Sequence, residues 1–124
     1  MSTVLIIEDN EKNMKLARDV LQAKGYKTLE AVTGEEGVTL AKTHVPDLVL
    51  MDIQLPGING IEAFRQIRAE ASTAKVPVIA LTASVTPTDR SAISAAGFDA
   101  FVSKPINLKE FLETVKRLVD GAKK

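Results

Sequence analysis

Carboxylates stand where two apolar runs stop. Val4-Leu5-Ile6-Ile7 ends in Glu8-Asp9, and Leu48-Val49-Leu50-Met51 ends in Asp52. Two further runs end in Thr82 and, just beyond Ser103, in Lys104. Runs this short, without alternation, suit parallel strands buried on both faces. If the first and third strands are neighbours, three carboxylates converge on one small volume. Two carboxylates about 4 Å apart repel by roughly 4 kcal/mol at an effective dielectric near 20. Three share a pocket only if one is protonated or a cation joins them. Lys104 alone cannot neutralise three acids. A hard cation with oxygen ligands can, and magnesium characteristically takes one or two carboxylates and keeps several waters. Acids, a cation, a lysine and a hydroxyl together suit a phosphoryl group, whose oxygens the positive charges neutralise. A carboxylate can also be the nucleophile, forming an aspartyl phosphate. Asp52, at the end of the central strand, is best placed for that role.

Each residue also has an ordinary explanation. An acid after a strand is common, because loops are polar and Asp caps helices. Thr82 alone reads as a turn residue and Lys104 alone as a solvated one. Asp47 is assigned to the turn before its strand, and His44 to the surface at a helix end. The argument rests on the constellation: five polar residues of complementary kinds at one edge of one sheet.

The elements that must position them alternate regularly. Strands are expected at Val4 to Ile7, Tyr26 to Ala31, Leu48 to Met51, Val76 to Leu81 and Phe98 to Val102. The first helix is capped by Asp9 or Asn10, carries Met14, Ala17, Val20 and Leu21 inward, and stops near Lys24 with Gly25 beyond it. Thr33 with Glu36, Asn59 with Glu62, and Asn107 with Glu110 have capping-box spacing. Val45-Pro46 closes the second helix, and residues 70–75 form a polar loop. Thr86-Pro87 opens a fourth helix with Ala92, Ile93, Ala95 and Ala96 inward, stopped by Gly97. Leu108, Phe111, Leu112, Val115, Leu118 and Val119 form the apolar face of the last helix. Five strand–helix units make an α/β doubly wound fold with a five-stranded parallel sheet. The expected strand order is 2-1-3-4-5, taken from the flavodoxin/CheY-like arrangement. It places the polar second strand at an edge.

The totals exclude several classes. The 124 residues fit one domain. A net charge of zero gives no field for nucleic acid or anionic membranes. The absence of cysteine removes disulfides and zinc–thiolate sites. No apolar run approaches a membrane span, and no signal peptide is evident, so a cytoplasmic protein is expected.

The motifs Ile7-Glu8-Asp9-Asn10, Met51-Asp52-Ile53-Gln54-Leu55-Pro56, Gly60, Leu81-Thr82-Ala83 and Ser103-Lys104-Pro105 together resemble the receiver domains of response regulators over essentially the whole chain. Glu8 to Leu16 and Leu112 to Leu118 also resemble a single-domain cell-cycle regulator of that family, whereas Ser84 to Ile93 does not. The resemblance implies that Asp52 accepts a phosphoryl group from a phosphohistidine on a sensor histidine kinase or histidine phosphotransfer protein. It implies magnesium, or manganese in its place, held by Glu8, Asp9, Asp52 and the main-chain carbonyl of Gln54. Lys104 would contact a phosphoryl oxygen, and Thr82 would turn inward to donate to the group. Phe101 matches the aromatic switch position, without the hydroxyl of a tyrosine. A cis Lys104–Pro105 peptide is expected. The acidic pair is Glu-Asp where Asp-Asp is usual.

No output domain follows the last helix, so a stand-alone regulator signalling through protein contacts is expected, as a relay shuttle or a terminal switch. Monomer and phosphorylation-dependent dimer are both compatible with it. Kinase docking is assigned to Asn13 and Leu16, with Pro105 and Ile106; Leu16 lies off the buried stripe of its helix. Two other classes fit the residues less well. A flavodoxin-like cofactor carrier would need a phosphate loop after the first strand, where Glu8-Asp9-Asn10-Glu11 would repel it. A phosphohydrolase with an aspartyl intermediate typically has a second Asp two residues on, where this chain has Gln54.

Overall fold

Ten elements alternate along the chain. They are β1 (Thr3–Ile7), α1 (Glu11–Ala23), β2 (Lys27–Ala31), α2 (Gly34–His44) and β3 (Leu48–Asp52). There follow α3 (Gly60–Ala69), β4 (Val78–Thr82), α4 (Pro87–Ala96), β5 (Ala100–Ser103) and α5 (Leu108–Ala122). The computed structural model describes residues 2–53, 58–82, 87–103 and 107–122. The strands pair in the order β2-β1-β3-β4-β5, all parallel, as expected.

Helices cover both faces. On one face Met14, Ala17 and Leu21 of α1 and Phe111, Val115 and Val119 of α5 pack against Val4, Ile6, Leu48, Leu50, Ile79 and Leu81. On the other, Val38 and Ala41 of α2 and Ala63, Phe64 and Ile67 of α3 cover Leu5, Ile7, Val49, Met51 and Val78. Every residue of β3 is buried, as a central strand covered twice requires. β2 is the half-exposed edge, where Lys27 and Glu30 face water.

The caps form largely as their spacing predicts. Asn10, Thr33, Asn59 and Asn107 each accept from the N–H three residues on. Glu36 returns its carboxylate to Val32 N–H, one residue before the cap, at 3.0 Å. Gly25 takes φ 89°, a left-handed stop that glycine adopts without cost.

Several boundaries and faces differ from the pattern. Tyr26 precedes β2 and donates its N–H to Leu21, finishing the α1 turn. β4 begins at Val78, not Val76; Pro77 lies outside it but lends its carbonyl to Val49 N–H, which requires no donor of its own. β5 begins at Ala100, because Phe98 leaves the strand line to stack on Phe64, centroids 4.1 Å apart. Ala95 is exposed, whereas Ile93 and Ala96 pack inward. At the start of α5, Leu108 is also exposed. Thr73, in the polar loop, is fully buried and donates its hydroxyl to Ile67 C=O at 2.5 Å, tying the loop to the end of α3.

The amino-terminal end of β4 is held by a network that no local spacing announces. Arg68 lies over the Phe64 ring, donates to Val76 C=O, and pairs with Asp99 at 2.6 Å. The same Asp99 oxygen accepts from Val78 N–H at 2.8 Å. Asp99→Ala leaves that buried N–H without its carboxylate acceptor. It is expected to lower unfolding stability by about 1–3 kcal/mol, read as a shifted urea midpoint at unchanged slope.

Candidate functional site

Register brings the site together. Ile7 pairs with Met51, so the next residues, Glu8 and Asp52, leave the sheet side by side. Asp52 pairs with Leu81, and Ile53 N–H donates to Leu81 C=O at 3.0 Å, which sets Thr82 one step beyond. Thr82 pairs with Ser103, the residue before Lys104. All four chain segments therefore arrive at one carboxyl-terminal edge, where open α/β sheets bind ligands.

One carboxylate oxygen from each of Glu8, Asp9 and Asp52 lies within 4.8 Å of the others. Glu8 and Asp52 are almost completely buried, at 1% and 2% exposure, while Asp9 is exposed. Glu8 is fixed by its own backbone, whose N–H donates to Ala31 C=O at 3.0 Å, and its carboxylate accepts from Asn10 N–H at 3.1 Å. At 4.8 Å and an effective dielectric of about 20, each carboxylate pair repels by about 3–4 kcal/mol, less where Asp9 meets water. Two buried acids with a third at the mouth make a hard-oxygen donor set with excess negative charge, which fits a magnesium-sized divalent cation.

The chain after Asp52 turns back at once. Gly60 N–H donates to Ile53 C=O at 2.9 Å, and a Cβ on Gly60 would strike the Asp52 carbonyl and lie 2.7 Å from Ile53 Cα. Only glycine allows this approach. Gly37 of α2 likewise gives way to Ile7, whose Cγ1 would lie 2.7 Å from a Cβ there.

Thr82 is buried, and Phe101 is half-buried. Phe101 pairs with Ala80, so the alternation along β4 puts Thr82 and Phe101 on the same face of the sheet. Phe101 also borders a cavity of about 240 Å³ with Ile93, Ser94, Phe98 and Ala100. The structure thus brings Glu8, Asp9 and Asp52 into one cluster, with Thr82 on the adjacent strand and Phe101 on the strand beyond. Gln54, Lys104, Pro105 and Ile106, with the expected cis peptide, lie outside the described residues. Asn13 is half-buried on α1, and Leu16 is 37% exposed. His44 is exposed, and Asp47 accepts from Thr3 N–H at 2.7 Å, a bond between strand starts. The bond from Asn10 N–H to Glu8, the approach of Gly37 to Ile7 and the Glu35–Ile58 contact have no signal in the sequence; glycine beside a β-branched residue carries no local mark.

Residues 4–116 match the model of the response regulator receiver domain, and the chain belongs to that family. It is 43% identical over 120 residues to the polar-differentiation response regulator DivK of Brucella ovis, covering 97% of this chain and 98% of the relative. A putative response regulator from Chloroflexus aurantiacus superposes with TM-score 0.91 at 28% identity, covering 96% of this chain and 98% of that one. The receiver domain of the sensor histidine kinase PA1611 from Pseudomonas aeruginosa, solved with a magnesium ion coordinated in its active-site cleft, gives TM-score 0.90 at 32% identity. It covers 96% and 98% of the two chains. The chain is thus a signalling regulator of the two-component class, not a conventional enzyme. Among its described residues, no helix is long and apolar enough to cross a membrane.

Because Glu8 and Asp52 are buried together, Asp52→Asn is expected to raise the stability of the metal-free protein by about 1–2 kcal/mol, below the Coulomb limit because water reaches Asp9. The same change should shrink the further rise in melting temperature that magnesium gives to the wild type. Thermal denaturation with and without magnesium measures both.

Proposed function

We propose that the protein is a phosphoacceptor switch in which Asp52 takes a phosphoryl group from a phosphohistidine. The carrying observation is the buried Asp52 carboxylate at the centre of an acid cluster, with Thr82 one strand away. In the reaction an Asp52 carboxylate oxygen bonds to phosphorus as the phosphorus–nitrogen bond of the donor breaks, and the imidazole leaves with the electron pair. The bond to Asp52 is an acyl phosphate, which water later hydrolyses to restore the carboxylate. Glu8, Asp9, Asp52 and the Gln54 carbonyl would hold magnesium, or manganese, which supplies charge neutralisation at the phosphoryl oxygens. Glu8, held by Asn10 N–H, keeps its carboxylate aimed at the site. Lys104 would contact a phosphoryl oxygen, and the Thr82 hydroxyl would donate to another. Both transfer and hydrolysis are self-catalysed in this reading, with the donor supplying only the activated phosphorus.

Signalling follows from a two-state equilibrium. Thr82 is drawn toward the phosphoryl group, and Phe101, on the same face of the sheet, repacks beside the α4–β5 cavity. The partners in this reading are a sensor kinase or phosphotransfer protein and a downstream protein that prefers one state. Donor docking uses α1 around Asn13 and Leu16, with Pro105 and Ile106. The cytoplasm, where ATP-derived phosphohistidine is made, is the setting that goes with it.

Incubation with magnesium and a small acyl-phosphate donor should give a single phosphoryl adduct by intact-protein mass. The adduct should be absent from Asp52→Asn and lost when magnesium is chelated. An adduct of equal yield on Asp52→Asn would refute the assignment. Thr82→Ala should still be phosphorylated while losing the phosphorylation-dependent change at Phe101, followed by NMR of its ring.

A further inference from the structure

One residue joins the acid cluster to α1 through three polar groups. Asn10 N–H donates to Glu8 Oε2 at 3.1 Å. Its side-chain Oδ1 accepts from Asn13 N–H at 3.1 Å, and its C=O accepts from Met14 N–H at 2.9 Å. The two oxygens fasten Asn10 to the first turn of α1, while its N–H is given to a cluster carboxylate. Helix α1 is itself held, because Met14, Ala17 and Leu21 are buried against the sheet. On the other side, Glu8 is tied to β2 by its N–H, which donates to Ala31 C=O at 3.0 Å. Asp9 lies between these two fixed points. It is exposed, and among the described residues none donates a hydrogen bond to its carboxylate. One of its oxygens nevertheless stands within 4.8 Å of those of Glu8 and Asp52. The main chain on either side therefore sets where Asp9 sits.

We infer that Asn10 is a positioning residue for the cation site, acting through Glu8 and Asp9. The inference rests on the reading of Glu8, Asp9 and Asp52 as cation ligands. The side-chain cap holds the Asn10 backbone at φ −83° and ψ 118°, an extended conformation at the edge of the helix. That conformation gives its N–H to Glu8 and fixes the point at which the chain leaves Asp9. Without the Oδ1 acceptor, the bond to Met14 N–H is the remaining main-chain tie from Asn10 to α1. Acids that are already ordered cost less to immobilise when a cation arrives. Hydrogen bonds that orient ligating carboxylates commonly change metal affinity when they are lost.

The alternative is that Asn10 serves only as the cap of α1 and contributes to stability alone. Three variants separate these roles. Glycine is well tolerated at an N-cap, so Asn10→Gly removes Oδ1 at little cost to the helix. Asn10→Ser keeps a cap oxygen for Asn13 N–H. Asp99→Ala weakens the opposite end of the sheet and leaves the cluster untouched. Magnesium affinity is read by calorimetry on the whole protein, stability by urea unfolding, and exchange of the residue 10 and Asn13 amides by NMR without metal. Asn10→Gly is expected to weaken magnesium binding about threefold to tenfold, the low end of outer-shell effects because the main-chain N–H remains. Its urea midpoint should stay near that of the wild type, and both amides should exchange faster relative to their intrinsic rates. Asn10→Ser should match the wild-type affinity within about twofold. Asp99→Ala should lower the midpoint and keep the affinity. Wild-type magnesium affinity in Asn10→Gly overturns the inference, as does a Ser variant as impaired as Gly, or a loss in Asp99→Ala equal to that in Asn10→Gly. Wild-type protein that binds no magnesium overturns the reading of the cluster as a cation site, and the inference with it, whatever the variants show.

Discussion

The pairing of β1 with β3 is the constraint on which the site depends. Ile7 stands opposite Met51, and this places Glu8 and Asp52 at the same level as both strands end. Both acids are buried, so their repulsion is poorly screened. The fold can hold them there because the surrounding sheet is over-determined: β1 and β3 are covered on both faces by separate apolar clusters. A slip of one residue would carry a carboxylate into one of those clusters and an apolar side chain into the mouth of the site. Stability built elsewhere thus maintains a local concentration of carboxylates of the kind that suits a divalent cation.

The two ends of the sheet have different characters. At the amino-terminal end, Asp47 bonds to Thr3, and the Arg68–Asp99 pair closes on Val76 and Val78. Phe98 stacks on Phe64 beneath Arg68, which anchors the chain entering β5. At the carboxyl-terminal end the contacts among the described residues include loop returns and polar side chains. The cavity between α4 and β5, bordered by Phe101 and Phe98, gives an aromatic ring room to change rotamer without overpacking.

The β3–α3 loop connects these ideas. It leaves from the central strand, is turned by Gly60 against Asp52 and Ile53, and returns against Gly34 and Glu35 of α2. Helix α2 therefore shares a boundary with the chemical site although it contributes none of the acidic cluster. Ile58, where the loop returns, also packs against the apolar cluster on the α2–α3 face.

The sequence by itself determined the five strands, the alternation with helices, most caps and the acidic cluster. Each is written locally: in apolar runs too short for helices, in Thr33, Asn59 and Asn107 three residues before a glutamate, and in acids placed where a run stops. The strand order came from family resemblance, and the polar composition of β2 agreed with it. Tertiary structure alone decided the rest. Phe98 looks like strand by composition, but stacking on Phe64 pulls it out of β5. Ala95 faces water although its type suits either side, because alanine gains little from burial. The partnership of Arg68, Asp99 and Val78, and that of Glu35 with Ile58, join residues 21 to 31 positions apart. No periodicity encodes such contacts, since they depend on how two loops meet once the sheet has brought them together.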